Sequence, residues 1–254
     1  MAQSAAMKLD ARLTLFMTLV GVFLTCLLVG NLIGGKLTYV HGFGRDWIIS
    51  AGEIPFPLTF IITDLINEFY GRRAARRVSL LGFAMIGLTV LIIQVANQAA
   101  WFPPAYTDPN WADTNMTPFA FQNVFVNAVT IQCASMVAFL TSQYVDIGVF
   151  FVIKRLTGDR FLWLRATGST AISQLIDTIL VVSLAFGLTV SLDPLSIGRS
   201  AMPLDTLFSI IVTSYVVKVA VAVLVTPIIY AAHGLLERVW KLKPLPADAA
   251  AGDV

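Results

Sequence analysis

Residues 128–152, AVTIQCASMVAFLTSQYVDIGVFFV, and residues 168–190, GSTAISQLIDTILVVSLAFGLTV, decide the fold. Each run exceeds the ~20 mostly apolar residues that an α-helix needs to cross the hydrocarbon of a bilayer. Each also carries the pattern S-Q-x-x-D, as Ser142-Gln143-Tyr144-Val145-Asp146 and as Ser173-Gln174-Leu175-Ile176-Asp177. Residues three and four apart share a helix face, so Ser142 and Gln143 align with Asp146, and Ser173 and Gln174 with Asp177. An Asp at the centre of a membrane helix costs roughly 2.5 to 3.5 kcal/mol on insertion scales, so such groups face a partner, a cavity or a substrate path.

Four further apolar runs, about 13–35, 54–70, 78–100 and 206–231, bring the total to six. They predict an all-α integral membrane protein, a six-transmembrane-helix bundle in one domain. The composition, 57% hydrophobic and 13% charged over 254 residues with a mean hydropathy of +0.79, lies outside the range of soluble domains. The first run is longer than the 7 to 15 apolar residues of a signal core and no A-x-A site follows it, so it reads as a retained helix. Cys26 and Cys133 fall inside runs, where a thiol behaves as a small apolar group, and imply neither a disulfide nor a metal site.

Basic residues set the orientation. Lys8, Arg12, Arg72, Arg73, Arg76, Arg77, Lys154, Arg155, Arg160, Arg165, Arg238, Lys241 and Lys243 fall on one side of a six-helix arrangement, against Lys36, Arg45 and Arg199 on the other. The positive-inside rule then places both termini in the cytoplasm. The net charge of +2 reports this asymmetry and gives no support for nucleic-acid binding. The loop from Trp101 to Pro118, rich in aromatics and proline and free of Lys and Arg, is expected at the outer interface. Residues 244–254 lack the bulk to pack and are expected to be disordered.

The remaining polar residues within the runs are candidates for a site. Pro55 and Pro57 are expected to weaken the outer end of the second helix. Asp64, Asn67 and Glu68 stack on one face of that helix. Glu68 adjoins the basic stretch 71–77, which suits an ion pair at the cytoplasmic edge, whereas Asp64 lies a turn deeper. Lys218, about twelve residues into the sixth run, is too deep to snorkel and needs an anion, one of Asp64, Asp146 and Asp177. The two repeated motifs lie on antiparallel helices and their faces can meet, as in inverted-repeat transporters with a midplane site. Asn31 near the end of the first run is a further candidate, with backbone hydrogen bonding as its alternative. The chain has no G-x-x-x-x-G-K-[ST] loop, H-E-x-x-H or G-x-S-x-G, and His41 and His233 lie at or beyond the ends of the runs, so ATP hydrolysis, zinc proteolysis and serine hydrolysis have no support.

Three stretches resemble the queuosine precursor transporter family of the bacterial vitamin uptake transporter group. They are Pro57-Leu58-Thr59-Phe60 with Thr63-Asp64-Leu65-Ile66-Asn67-Glu68-Phe69-Tyr70-Gly71; Leu162-Trp163-Leu164-Arg165 with Gly168-Ser169-Thr170 and Ser173-Gln174-Leu175-Ile176-Asp177-Thr178; and Tyr215-Val216-Val217-Lys218-Val219-Ala220 with Thr226-Pro227. The resemblance spans roughly residues 13–240 and implies a six-span inner-membrane importer of 7-deazaguanine queuosine precursors, not an enzyme and without a cofactor.

Such a ligand presents adjacent N–H donors that one carboxylate can accept in pairs, while Gln and Asn can meet its carbonyl. Phe56, Phe60, Tyr144 and Tyr215 can flank its flat ring or serve as ordinary packing. The expected substrate site is therefore Asp64, Asn67, Gln143, Asp146, Gln174, Asp177 and Lys218, with Asn31 beside them. A purine-like small molecule and the lipid bilayer are the expected partners; proton coupling and a homodimer are compatible with the sequence. Two rivals are a substrate-binding subunit that works with a separate ATPase, which would copurify, and an intramembrane enzyme using an Asp pair, which would alter its substrate chemically.

Overall fold

The computed structural model describes residues 11–34, 36–42, 45–102, 116–126, 129–158, 160–184, 203–239 and 244. Most of the loop expected at the outer interface, and nearly all of the expected tail, lie outside the described residues.

Helix α1, Ala11–Ile33, is apolar on every side. Its 23 residues extend about 34 Å at ~1.5 Å per residue, enough to cross a hydrocarbon core. The hydroxyls of Thr18 and Thr25 return to the carbonyls of Thr14 and Gly21, each at 2.9 Å. These side chains present no unsatisfied donor to an apolar surround.

An antiparallel hairpin follows, β1 Leu37–Gly42 with β2 Arg45–Ser50, in a register that pairs Leu37 with Ser50 and Gly42 with Arg45. This corrects the all-α expectation, which left the segment as a loop. The chain then packs tightly on α1. A Cβ at Gly52 would lie 2.6 Å from the Gly30 carbonyl oxygen and 2.9 Å from Gly34 Cα, so only glycine fits.

Helix α2, Phe56–Gln98, contains the second and third expected helices. Pro57 does not weaken it, because a proline in the first turn replaces an amide that has no helical partner anyway. At 43 residues a straight helix would run about 64 Å, twice a hydrocarbon core. Instead the chain reverses at Gly71, whose φ of 81° and ψ of 176° are non-helical and cost glycine little. At the reversal, Arg12 Nη2 donates to the Phe69 carbonyl and Tyr70 Oη to the Arg12 carbonyl, both at 2.9 Å. At the far end the chain touches Gly30, while Gly82 on the returning arm meets Leu27 and Phe23. Both arms therefore lie along α1 in opposite directions. The basic stretch Arg72 to Arg77, expected as a loop, is helical and opens the second arm.

A short helix, α3 Pro118–Phe121, capped by Thr117, leads into a wider turn, Gln122–Val126. Helices α4, Val129–Thr157, and α5, Leu162–Val182, are joined by a tight turn with Gly158 at φ 60° and Phe161 at φ 58°. Helix α6, Leu204–Val239, closes the bundle with Pro227 inside it. By length and composition, α1, α2, α4 and α6 can each cross a membrane. The described part of α5 is not among them.

The distribution of side chains is the reverse of a soluble protein's. Asp64, Asn67, Glu68, Lys154, Arg165, Gln174 and Lys218 are buried, while Leu91, Ile92, Val95 and Leu224 are exposed. Exposed apolar surface on this scale fits a lipid surround. The apolar core of Phe23, Ile62, Ile66, Val78, Ile147 and Phe150 joins α1, both arms of α2, and α4. It positions one polar face of α2 against α4, α5 and α6.

Candidate functional site

The two S-Q-x-x-D faces meet. Ser142 Oγ reaches Asp177 Oδ1 at 3.4 Å and Ser173 Oγ reaches Asp146 Oδ1 at 3.2 Å, so the serine of each motif meets the aspartate of the other. Antiparallel packing produces this reciprocity directly, because each helix offers Ser and Asp four residues apart on one face. Lys218 Nζ on α6 donates to Asp177 Oδ2 at 2.9 Å and lies 3.5 Å from Thr178 Oγ1. Of the three carboxylates that Lys218 could pair with, the structure selects Asp177. The Lys218 ammonium also sits 5.1 Å from the centre of the Phe56 ring.

Next to these paired groups are several without partners. Both carboxylate oxygens of Asp64, both amide atoms of Asn67 and Oε1 of Gln174 are buried and have no hydrogen-bond partner among the described residues. Asp64 is 2% exposed and Asn67 0%, so water does not substitute at the surface. Asp146, Glu68 and Arg165 lie within electrostatic reach of Asp64. A buried acceptor left without a donor costs about 1 to 3 kcal/mol, and more when charged. Gln143 is partly satisfied, its Oε1 lying 3.4 Å from Ser79 Oγ. Thr63, Asn67, Ser79 and Gln143 border a cavity of about 10 Å³, room for roughly one water. This cavity is too small for a bicyclic ligand, which would need the helices around it to part.

Below the seam lies an ion cluster. Glu68 accepts from Lys154 Nζ at 3.1 Å and from Arg165 Nη2 at 2.7 Å, with all three side chains at 0 to 2% exposure. His233 Nε2 stands 4.0 Å from Glu68, and its Nδ1 3.8 Å from Glu237. Glu68 does form an ion pair, with cations from α4 and α5 rather than from the adjacent stretch 71–77. The cluster ties α2, α4, α5 and α6 together at one end.

The other candidates separate clearly. Asn31 Nδ2 donates to the Leu27 carbonyl at 2.9 Å, and no hydrogen bond among the described residues brings it into the seam. Tyr144 is 38% exposed under the Arg76 guanidinium, away from any aromatic slot. Phe60 is buried and stands against Phe56 at 6.1 Å between ring centres. A larger cleft of about 490 Å³, lined by Arg12, Leu13, Phe16, Tyr70 and Arg77 among others, opens between α1 and the second arm of α2 and contains no seam residue.

One group was missed from sequence. Glu53, in the turn Ala51–Glu53, lies within electrostatic reach of Lys218 and Asp177, and its Oε2 is buried without a partner among the described residues. The signal was a carboxylate two residues before the prolines that start α2, in a segment taken as an outer loop.

A family described as "Putative vitamin uptake transporter" matches residues 50–232, a stretch that contains the whole seam. The chain is similar to a "Probable queuosine precursor transporter" of Bacillus subtilis (strain 168), 32% identical over 188 residues, which cover 74% of this chain and 72% of that protein. It is also similar to a "Queuosine precursor transporter" of Escherichia coli (strain K12), 30% identical over 147 residues, 58% of each chain. No solved structure matches.

Proposed function

Since the chain belongs to the putative vitamin uptake transporter family, we propose that it imports a queuosine precursor, a 7-deazaguanine carrying a nitrile or an aminomethyl group, across the bacterial inner membrane. The names of two relatives support the substrate class. The observation that carries the site is the set of unpartnered buried groups Asp64, Asn67 and Gln174 beside the paired Asp146, Asp177 and Lys218. Asp64 accepts the adjacent N–H donors of the ring, and the amides of Asn67 and Gln174 meet its carbonyl and remaining nitrogens. The Lys218–Asp177 pair fixes α6 against α5 and holds the seam in register.

Six crossings with both termini in the cytoplasm follow from the basic residues, which leaves the Glu68 cluster at the cytoplasmic end and the hairpin outside. Release inward then requires that cluster to separate. Asp64 and Asp146 interact electrostatically, and a proton taken up by one of them couples transport to the proton gradient.

The test is uptake of labelled precursor into proteoliposomes that contain this chain alone, with and without an inward proton gradient. Asp64→Asn keeps the volume but leaves one carbonyl oxygen where two carboxylate oxygens stood, and should weaken binding by ~1.5 to 3 kcal/mol, tenfold or more. The fold should survive, because an amide is cheaper to bury than a carboxylate. Unchanged uptake by Asp64→Asn would move the site elsewhere. Uptake only after an ATPase is added would assign the chain to a larger assembly.

A further inference from the structure

Helix α1 and the second arm of α2 do not pack evenly along their length. They touch at Gly82, where an added Cβ would stand 2.9 Å from Leu27 Cδ2 and 3.3 Å from Phe23 Cε1. Toward the reversal they part, and the gap is the cleft of about 490 Å³ bordered by Arg12 and Tyr70, a volume within the ~300 to 1,000 Å³ of ligand sites. Helix spacing makes its walls. Phe16 and Val20 on α1, and Ala74, Arg77, Val78 and Leu81 on the arm, recur at three and four residues and so share one face of each helix. Phe16 meets Tyr70 at 4.9 Å between ring centres at the reversal end.

Two features say what fills the cleft. Its rim is apolar, with Leu13, Met17, Leu80 and Leu81 exposed, so it opens sideways into the lipid surround rather than into water. Its charged groups stand at one end and have one sign. Arg12 Nη2 donates to the Phe69 carbonyl at 2.9 Å and the guanidinium lies 5.6 Å from the centre of the Tyr70 ring, which leaves it further N–H donors. Arg77 is exposed, and no carboxylate of the described residues lines the cleft. Arg12 opens α1, and Arg77 lies about 9 Å along the arm from Gly71 at ~1.5 Å per residue. Both are at the depth of lipid headgroups, whereas Val20 is about 12 Å deeper than Arg12.

We infer that this cleft binds one anionic phospholipid, with its phosphate between Arg12 and Arg77 and one acyl chain along Phe16, Val20, Val78 and Leu81. Basic pockets between membrane helices recognise acidic headgroups in this way. A zwitterionic lipid brings a cation of its own to the same two guanidiniums, so the headgroup charge selects and the chain only anchors. The bound lipid bridges α1 and the second arm across the Gly71 reversal, which Arg12 already ties through the Phe69 carbonyl. On the topology proposed above, it comes from the cytoplasmic leaflet.

The experiment titrates the delipidated full chain, in a neutral detergent, with phosphatidylglycerol and phosphatidylcholine of the same acyl chains. Bound lipid is counted by native mass spectrometry, and the unfolding midpoint is followed on heating. Phosphatidylglycerol should bind about fivefold or more tighter than phosphatidylcholine and raise the midpoint further at equal concentration. Arg77→Gln should weaken phosphatidylglycerol binding about fivefold, the range of one basic residue at an acidic surface, and leave phosphatidylcholine unchanged; the exposed Arg77 side chain makes loss of the fold an unexpected result. Arg155→Gln, which removes the same charge from an exposed position on α4 outside the cleft, should alter neither. Leu81→Trp, which fills the apolar part, should weaken binding with both guanidiniums in place. Equal affinities for the two lipids, or an equal loss in Arg77→Gln and Arg155→Gln, would overturn the inference and leave ordinary lipid contact. Displacement of phosphatidylglycerol by glycerol phosphate at a similar concentration would also overturn it, and would assign the two arginines to a water-soluble phosphate. These outcomes are independent of the uptake measurement that tests the transport reading.

Discussion

Replacing Lys218 by Met removes the cation of a nearly dry ion pair. Its ammonium is 2.9 Å from Asp177, with side-chain exposures of 8% and 13%. At an effective dielectric of about 20 the attraction at that distance is on the order of 6 kcal/mol, an upper bound before desolvation is subtracted. Most of that attraction offsets the cost of burying the two charges, so the pair contributes little relative to an apolar pair of the same shape. Removing one partner is different. Among the described residues Asp177 would keep its contact with Ser142, and an uncompensated buried charge costs roughly 3 to 5 kcal/mol. For a chain of this size, that corresponds to a fall in melting temperature of about 6 to 20 °C, at ~2 to 4 °C per kcal/mol. The second substitution, Asp177→Asn, removes the orphaned charge, so the double variant should recover most of the loss. Thermal unfolding of the wild type, both single variants and the double variant in detergent gives the coupling directly. A double variant as unstable as Lys218→Met alone would show that Lys218 stabilises through its packing against Phe56 or Thr178, and that the ion-pair reasoning is wrong.

Glu68→Gln should be among the most destabilising single changes in the bundle, by about 3 kcal/mol or more, because it leaves Lys154 and Arg165 buried without their shared carboxylate; a melting temperature within 2 °C of the wild type would contradict the burial seen here. Gly52→Ala should force the 51–55 turn off α1, since its Cβ would meet Gly30 and Gly34 backbone atoms, and should lower uptake together with stability, as followed by transport and unfolding. Cysteines placed at Arg73 and Arg160 should react with an impermeant reagent only from the cytoplasmic side, and one at Thr38 only from outside; labelling of the Thr38 position from within would refute the six-crossing topology.

Sequence made legible whatever depends on spacing along one helix. The pairing of the two S-Q-x-x-D faces follows from the i, i+4 geometry and from the antiparallel direction imposed by the short 158–161 turn. The need of Lys218 for a carboxylate follows from its depth. Choices among equivalent partners were not legible. Asp64, Asp146 and Asp177 all satisfy the demand of Lys218 in one dimension, and only the rotation of α5 against α6 selects Asp177. Glu68 shows the same limit: Arg72 and Arg73 are its neighbours in sequence, yet the reversal at Gly71 turns the second arm away and admits Lys154 and Arg165 instead. The β1–β2 hairpin was missed because its residues lack a clean period-2 pattern, and Glu53 because a carboxylate beside a proline-started helix looks like surface until the glycine contact draws the turn inward.

The seam lies between two unlike closures, and their difference constrains how it can open. On the reversal side, Glu68 of α2 holds α4 and α5 through buried charge-assisted contacts with Lys154 and Arg165, and His233 of α6 stands 4.0 Å away. On the hairpin side, the closure is the Gly52–Gly30 backbone contact and the Ser50 cap, which separate with the loss of a few dispersion contacts and one or two ordinary hydrogen bonds. Parting the hairpin side is the easier motion where it leaves the Lys218–Asp177 pair beside Phe56 intact, and the Glu68 side opens only if something lowers the cost of separating its charges. A ligand can do so only through a difference in its affinity for the two states, about 5.5 kcal/mol for a full reversal of a hundredfold bias. Asp64 is the group placed to transmit such a difference: it has no partner of its own, and it acts electrostatically on both Asp146 in the seam and Glu68 and Arg165 in the cluster. Neutralising Asp64, by a proton or by a ligand's donors, removes a negative charge that competes with Glu68 for Arg165 and so tightens the cluster, whereas leaving Asp64 ionised loosens it. In the transport cycle proposed above, occupancy of the seam and closure of the charged end rise together, and loss of the donors to Asp64 precedes opening of that end.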